Sequence, residues 1–295
     1  MPSEAQASYQ HPNAIITTAW LEDHLSDDTV RIFDCTTYLL APDEQSAYTV
    51  KSGHEDYLGG HIPGAAYLDL QGELSLKDSP FRFTMPPLDD LAARFAQQGI
   101  DQSSQVVLYS RGNAQWATRI WWMLRAVGFD NAGVLDGGWE AWEAEKRPIE
   151  KGNQTYPAGQ LQAQPRNTLF TDKQGVLSAT ESANACVINA LSASLHAGHS
   201  KRYGRPGRIP GSVNIPAASL RDASSGRLIS AADASALFAN AGATPDKKTV
   251  IYCGGGIAAT LDAFILHQLG YSDISVYDHS LSEWANDTSV EMEQD

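Results

Sequence analysis

The sequence predicts an α/β protein in which one unit, a central mainly parallel sheet with helices on both faces, occurs twice in tandem. Three observations carry this. Short β-branched or aromatic runs alternate with longer helical patterns, which implies parallel strands joined by crossover helices. Anchor segments of the first half return in the second half in the same order. Between the halves, Lys151 to Arg166 is rich in Gly, Gln and Pro and has no periodicity, so it reads as a linker.

Taken in order, Ala19 to Leu25 reads as a helix and Val30 to Asp34 as a strand. Leu88 to Gln98 is a helix, Val106 to Tyr109 a strand and Trp116 to Val127 a helix. Gly133 to Asp136 is a strand and Trp139 to Glu145 a helix. In the second half, Ala185 to Ala190 and Val250 to Tyr252 are strand-like, and Ile257 to Leu269 is amphipathic. Gly128 and Gly270 close the helices before them, as C-terminal caps do. The expected units are 1–150 and 167–295, with 151–166 between them.

The duplication is legible position by position. His61-Ile62-Pro63-Gly64 returns as Arg208-Ile209-Pro210-Gly211. Val106-Val107-Leu108-Tyr109 returns as Thr249-Val250-Ile251-Tyr252, which sets Ser110 opposite Cys253. Val134-Leu135-Asp136 with Trp142 returns as Val276-Tyr277-Asp278 with Trp284. The offsets all fall within 142 to 147 residues.

Composition narrows the function classes. Twenty-one Lys and Arg stand against 35 Asp and Glu in 295 residues, which argues against a general nucleic-acid or membrane-surface binder. No apolar run approaches membrane-spanning length, and Met1 to Gln10 lacks a secretory pattern, which points to the cytoplasm. Cys35, Cys186 and Cys253 are three widely spaced cysteines with no CxxC pair, which fits reduced thiols better than a disulfide frame or a zinc site. Cys35 and Cys186 lie in apolar strand-like runs. Six tryptophans, Trp116, Trp121, Trp122, Trp139, Trp142 and Trp284, sit in helical runs or at repeat anchors and read as core.

Only Cys253 has chemical surroundings. It follows a short apolar strand, precedes three glycines and leads into a helix. Side chains are stripped from this turn, so backbone N–H groups and the positive end of a helix can converge on whatever the sulfur carries. That pattern suits a covalent sulfur nucleophile; a buried strand-end cysteine before a flexible loop is the alternative reading of the turn alone.

Together these residues resemble the tandem rhodanese-type sulfurtransferases, the family of thiosulfate and 3-mercaptopyruvate sulfurtransferases. The matching pieces are His61 to Ala66, Leu135 to Trp139, Arg205 to Gly211, Cys253 to Gly256, and Tyr277-Asp278 leading to Ser282-Glu283-Trp284. The resemblance implies two domains of one fold, the second catalytic and the first a structural and substrate-covering partner that carries Ser110 in place of the cysteine. It implies ping-pong sulfur transfer through a Cys253 persulfide, with a small sulfur donor and a thiol or cyanide acceptor. A protein acceptor such as thioredoxin is a further implied partner, and no metal or organic cofactor is indicated. The backbone N–H groups of Gly254, Gly255, Gly256, Ile257 and Ala258 are expected to hold the charge on sulfur. A phosphatase of the same fold needs an arginine six residues after the cysteine; here that residue is Ala259, and no arginine follows Cys253.

The chain also departs from the family. Leu191 and Leu195 stand where both donor-binding arginines are expected. Arg202, Arg205 and Arg208 are therefore candidates for replacing them, and His61 matches a first-domain histidine that approaches the donor. Gly255 and Ala258 replace a serine and a threonine of the mercaptopyruvate-type loop. A bare loop with rewritten donor recognition leaves a second expectation, a protein-to-protein persulfide relay. A third, a catalytically dead binding domain, conflicts with the retained cysteine and glycines.

Overall fold

A computed structural model of the chain describes residues 9–43 and 46–295. In chain order the first half contains β1 (Ile15–Ile16), α1 (Thr18–Asp23), β2 (Val30–Asp34), β3 (Thr37–Leu40), β4 (Thr49–Ser52), α2 (His54–Gly59), β5 (Ala66–Tyr67), α3 (Leu88–Gln97), β6 (Gln105–Tyr109), α4 (Gln115–Ala126), β7 (Ala132–Leu135) and α5 (Gly138–Ala144). The second half contains β8 (Phe170–Thr171), α6 (Lys173–Thr180), β9 (Ala185–Asn189), α7 (Ala193–Ala197), β10 (Val213–Asn214), α8 (Ala231–Asn240), β11 (Lys248–Tyr252), α9 (Ala259–Gln268), β12 (Ile274–Tyr277) and α10 (Ser280–Trp284).

Two five-stranded sheets result, ordered β1-β7-β6-β2-β5 and β8-β12-β11-β9-β10, every pairing parallel. The orders are the same once each strand is matched to its repeat partner. The registers agree as well: Val30 to Asp34 pair with Gln105 to Tyr109, and Ala185 to Asn189 with Lys248 to Tyr252. β6 and β11 are central in their sheets and buried beyond their first residue, which is why both read as continuous apolar runs rather than as alternating ones. Ser110 and Cys253 each stand at the C-terminal edge of the central strand. Open parallel sheets place their ligand sites at that edge.

One element was not legible in the sequence. β3 and β4 form a two-stranded antiparallel hairpin in the first half, without a counterpart among the named strands of the second. Lys151 to Arg166 contains no helix or strand, as its composition predicts, but it is strapped to the first sheet unit. Gly159, Gln164 and Arg166 donate backbone bonds of 2.8 Å to the carbonyls of Ala96, Val127 and Ala126. Gly128 has φ +89, and a Cβ there would lie 2.5 Å from the Gln164 carbonyl. No helix among the described residues is long and apolar enough to cross a membrane.

The two units meet through α4 and α9. Thr118 and Thr260 share a hydroxyl hydrogen bond of 3.0 Å, and Trp121 meets Phe264 edge-on at 4.7 Å. The duplicated aspartates act reciprocally. Asp136 of the first unit accepts the Leu228 N–H of the second at 2.8 Å, and Asp278 of the second accepts the Met85 N–H of the first at 2.9 Å. Each carboxylate also meets an arginine of the opposite unit, Arg227 for Asp136 and Arg119 for Asp278. The first unit is thereby held against the face of the second that carries Cys253.

Candidate active site

Cys253 is the first residue beyond β11 and is 2 % exposed. Its loop is fixed from one side by the start of α10. Leu281 N–H donates to the Cys253 carbonyl (3.1 Å), and the N–H and Oγ of Ser282 donate to the Gly254 carbonyl (2.8 and 2.7 Å). Ser280 Oγ accepts from the N–H groups of Cys253 (3.0 Å) and Gly256 (3.2 Å), donates to the Tyr277 carbonyl and lies 4.0 Å from Cys253 Sγ. Ser280 holds φ +52, the left-handed conformation that its repeat partner Gly138 adopts without a side chain. A strained, fully buried serine at this point marks a site the surroundings hold in place.

This arrangement corrects one expectation. The Gly256 N–H belongs to Ser280 Oγ and is not an open donor for sulfur. The N–H groups of Gly254, Gly255, Ile257 and Ala258 have no hydrogen-bond acceptor among the described residues, and no side chain caps the N-terminus of α9, where Ala258 is the N-cap. Gly254 and Ile257 are buried and Gly255 and Ala258 half-buried, and buried N–H groups are rarely left without an acceptor.

The glycines have different causes. Gly256 has φ +73, and a Cβ would lie 2.3 Å from the Asp278 carbonyl. Gly254 makes room for Tyr203, whose ring Cζ would be 2.1 Å from a Cβ at that position. Close approach of backbone to sulfur is therefore not the reason for Gly254. Gly255 is under no such constraint: the nearest atoms to an added Cβ are Ser282 Oγ and Tyr48 Oη, both at 3.7 Å.

The wall facing Cys253 is built from both units. Tyr203 lies on Gly254, and its hydroxyl pKa is pushed up by burial and then by the neighbouring Cys253. Tyr48, beside the first-unit hairpin, meets Tyr203 edge-on at 6.0 Å; burial likewise raises its pKa. Phe83 comes within 3.9 Å of the Gly255 Cβ position. Arg119, on α4 and fully buried, donates to the carbonyls of Gly256 (3.1 Å) and Phe83 (2.9 Å) and to Asp278 Oδ1 (2.5 Å). Tyr48, Phe83, Arg119, Tyr203 and Ser280 are absent from the sequence expectations. Tyr203 lies inside the basic segment Lys201 to Arg208, whose sequence signal is its cations; nothing in local sequence marks the first-unit residues.

The expected substrate contacts separate clearly. His61 is fully buried, stacked on Tyr57 at 4.3 Å, with Nδ1 2.9 Å from the Tyr57 carbonyl and a paired backbone exchange with Glu150. Its repeat partner Arg208 makes the same backbone exchange with Glu293 and pairs with the carboxylates of Glu293 and Asp295. Glu150 and Glu293 accept equivalent N–H groups, from Gly64 at 2.7 Å and Gly211 at 2.8 Å. His61 and Arg208 thus each fasten the end of their own unit. For Arg208 these partners correct the reading as a donor contact; His61 Nε2 lies 3.9 Å from Glu150 Oε2 and has no hydrogen-bond partner among the described residues. Arg205 is corrected likewise: its guanidinium binds the carbonyls of Trp284, Ala285, Asp287 and Val290, tying down the segment after α10. Arg202 alone points toward the mouth, donating to the Asp43 (2.6 Å) and Ser46 (3.3 Å) carbonyls beside Tyr48.

The other thiols are buried, and burial pushes the pKa of both Cys35 and Cys186 up. Ser110 donates to the Asn113 carbonyl at 2.5 Å. A cleft of about 1010 Å³ lies elsewhere, lined by His11, Trp20, Trp121, Arg125 and His267, and does not include Cys253.

Residues 17–145 and 196–287 match the family described as Rhodanese-like domain. The chain is 29 % identical over 277 residues to the 3-mercaptopyruvate sulfurtransferase of Escherichia coli K12, covering 93 % of this chain and 95 % of that one. It is 28 % identical over 291 residues to the sulfur carrier protein TtuD of Thermus thermophilus, covering 94 % and 95 %. Among solved structures, SseA from Escherichia coli, a 3-mercaptopyruvate sulfurtransferase, superposes with a TM-score of 0.80 at 27 % identity, covering 90 % of this chain and 98 % of that one.

Proposed function

The chain belongs to the rhodanese family, and on that premise we propose that it is a sulfurtransferase working through a persulfide on Cys253. The observation that carries this reading is the set of open N–H donors on Gly254, Gly255, Ile257 and Ala258 around a cysteine at the end of the central strand. In the first half-reaction the Cys253 thiolate attacks the outer sulfur of the donor. A Cys253–sulfur bond forms, the donor's bond to that sulfur breaks, and the electron pair leaves with sulfite or with the pyruvate fragment, which is then protonated. In the second, a thiolate or cyanide attacks the terminal sulfur and the electron pair returns to Cys253. The open donors meet negative charge on sulfur at every stage, and because they are fixed beforehand no reorganisation is needed when the charge develops.

In this reading 167–295 is the catalytic domain, 1–150 covers the site and supplies no nucleophile, and 151–166 connects them. Among the described residues the Ser110 hydroxyl bonds to no basic side chain, and its proton is committed to the Asn113 carbonyl. Arg202 contacts the donor, and the reduced thiols suit a cytoplasmic setting. Steady-state kinetics with thiosulfate and 3-mercaptopyruvate test the proposal. Parallel double-reciprocal lines that vanish in Cys253→Ser are expected; intersecting lines contradict the two-step scheme.

A second reading, a persulfide relay to a partner protein, draws on the similarity to a protein named a sulfur carrier. It predicts slow turnover of both small donors together with fast sulfur delivery to a protein thiol such as thioredoxin.

A further inference from the structure

We propose that Arg82, from the first domain, binds the carboxylate or sulfonate end of the sulfur donor at the mouth of the Cys253 site. This rests on the sulfurtransferase reading and deepens it by naming an anion contact outside the catalytic domain. The positions expected to carry donor-binding arginines hold Leu191 and Leu195, both buried and apolar. Arg205 and Arg208 are committed to carbonyls and to C-terminal carboxylates. Arg82 is exposed, and among the described residues it forms no ion pair.

What Arg82 does touch places it. Its guanidinium carbon lies 5.2 Å from the centre of the Tyr48 ring. The Tyr48 hydroxyl stands 3.7 Å from the Cβ position of Gly255, two residues beyond the nucleophile. The next residue, Phe83, is buried, lies 3.9 Å from that same position and holds φ +61. The Phe83 carbonyl is gripped by Arg119. Backbone one residue from Arg82 is therefore pinned against the active-site loop, while the side chain reaches back to the rim. A guanidinium lying over a ring spends its face on the aromatic and keeps its N–H edge for a planar, bidentate acceptor. Arg202 is fixed to the Asp43 and Ser46 carbonyls beside Tyr48, so two cations gather next to the ring that meets Tyr203 edge-on. In a chain of net charge −14 this is a local site for an anion.

The test uses the full chain and two alkylating reagents of the same chemistry, anionic iodoacetate and neutral iodoacetamide. Each forms a carbon–sulfur bond at Cys253 with loss of iodide, and peptide mass separates Cys253 from Cys35 and Cys186. The iodoacetate-to-iodoacetamide rate ratio should fall about tenfold in Arg82→Ala and be partly restored in Arg82→Lys; tenfold corresponds to about 1.4 kcal/mol. The donor KM should rise in Arg82→Ala with kcat nearly unchanged, and the larger rise, for thiosulfate or for 3-mercaptopyruvate, identifies which anion the residue reads. A purely structural role would slow both reagents alike and leave the ratio unmoved, which overturns the inference while wild-type turnover still upholds the sulfurtransferase reading. Wild-type alkylation with the expected ratio but without sulfur transfer from either donor would remove that reading and leave the anion site standing. Failure of both reagents to reach Cys253 would sink the anion site, while turnover of either donor decides the sulfurtransferase reading separately.

Discussion

Replacing Arg119 by methionine should cost about 3–5 kcal/mol, because it breaks one side of a buried charged pair and leaves the other side uncompensated. Arg119 is fully buried and makes three bonds, to Asp278, to the Gly256 carbonyl and to the Phe83 carbonyl. Without it Asp278 keeps the Met85 N–H at 2.9 Å and the more distant His279 Nε2 at 3.9 Å. A loss of that size is a large share of the roughly 5–15 kcal/mol that holds a typical protein folded. Urea unfolding followed by tryptophan fluorescence reads it, since Trp116 and Trp121 flank Arg119 on α4. Asp278→Asn should also destabilise, and the double variant should lose less than the two single losses combined, by about 1–3 kcal/mol. Sulfur transfer should fall as well, since Gly256 would lose its link to the first domain. A loss below about 1 kcal/mol, or strict additivity, would refute the claim that this arginine ties the first domain to the active-site loop.

Two further outcomes follow from the same contacts. Gly255→Ser should leave fold and turnover largely intact, whereas Gly254→Ala should expel Tyr203 from its seat and cut turnover sharply; equal effects in parallel assays contradict the distinct roles assigned to the two glycines. Asp262 is fully buried in α9 with neither oxygen hydrogen-bonded, and burial pushes its pKa well above the usual carboxylate value. The folded state keeps the proton while the unfolded chain releases it above about pH 4, so this contribution to stability is present below that pH. It is lost as pH rises toward the folded-state pKa, at about 1.4 kcal/mol per pH unit. Asp262→Asn should remove this slope and gain on the wild type in urea melts between about pH 5 and pH 7; identical slopes would show that Asp262 is not held neutral.

The sheets were legible because central parallel strands are buried on both faces, and their apolar runs Val106 to Tyr109 and Thr249 to Tyr252 mark themselves. The duplication aligned Ser110 with Cys253 for the same reason. The β3–β4 hairpin escaped notice because its residues are largely exposed and carry no apolar periodicity. Basic residues near a motif were a poor guide to substrate contacts. Arg205 and Arg208 are spent mainly on carbonyls and carboxylates that lie 79 or more residues away in sequence, so nothing local distinguishes them from Arg202. His61 and Arg208 share a repeat position, and their common pairing with Glu150 and Glu293 was recoverable: the two glutamates sit 89 and 85 residues after them. Tyr48, Phe83 and Arg119 come from the other domain, and only tertiary packing brings them to the cysteine.

The central claim, that Cys253 carries sulfur covalently, is tested most directly by intact mass after incubation with thiosulfate or 3-mercaptopyruvate. The account predicts the gain of one sulfur atom on the wild type, lost again on adding cyanide, and no gain on Cys253→Ser. No adduct from any donor, or an adduct that persists in Cys253→Ser, would contradict it.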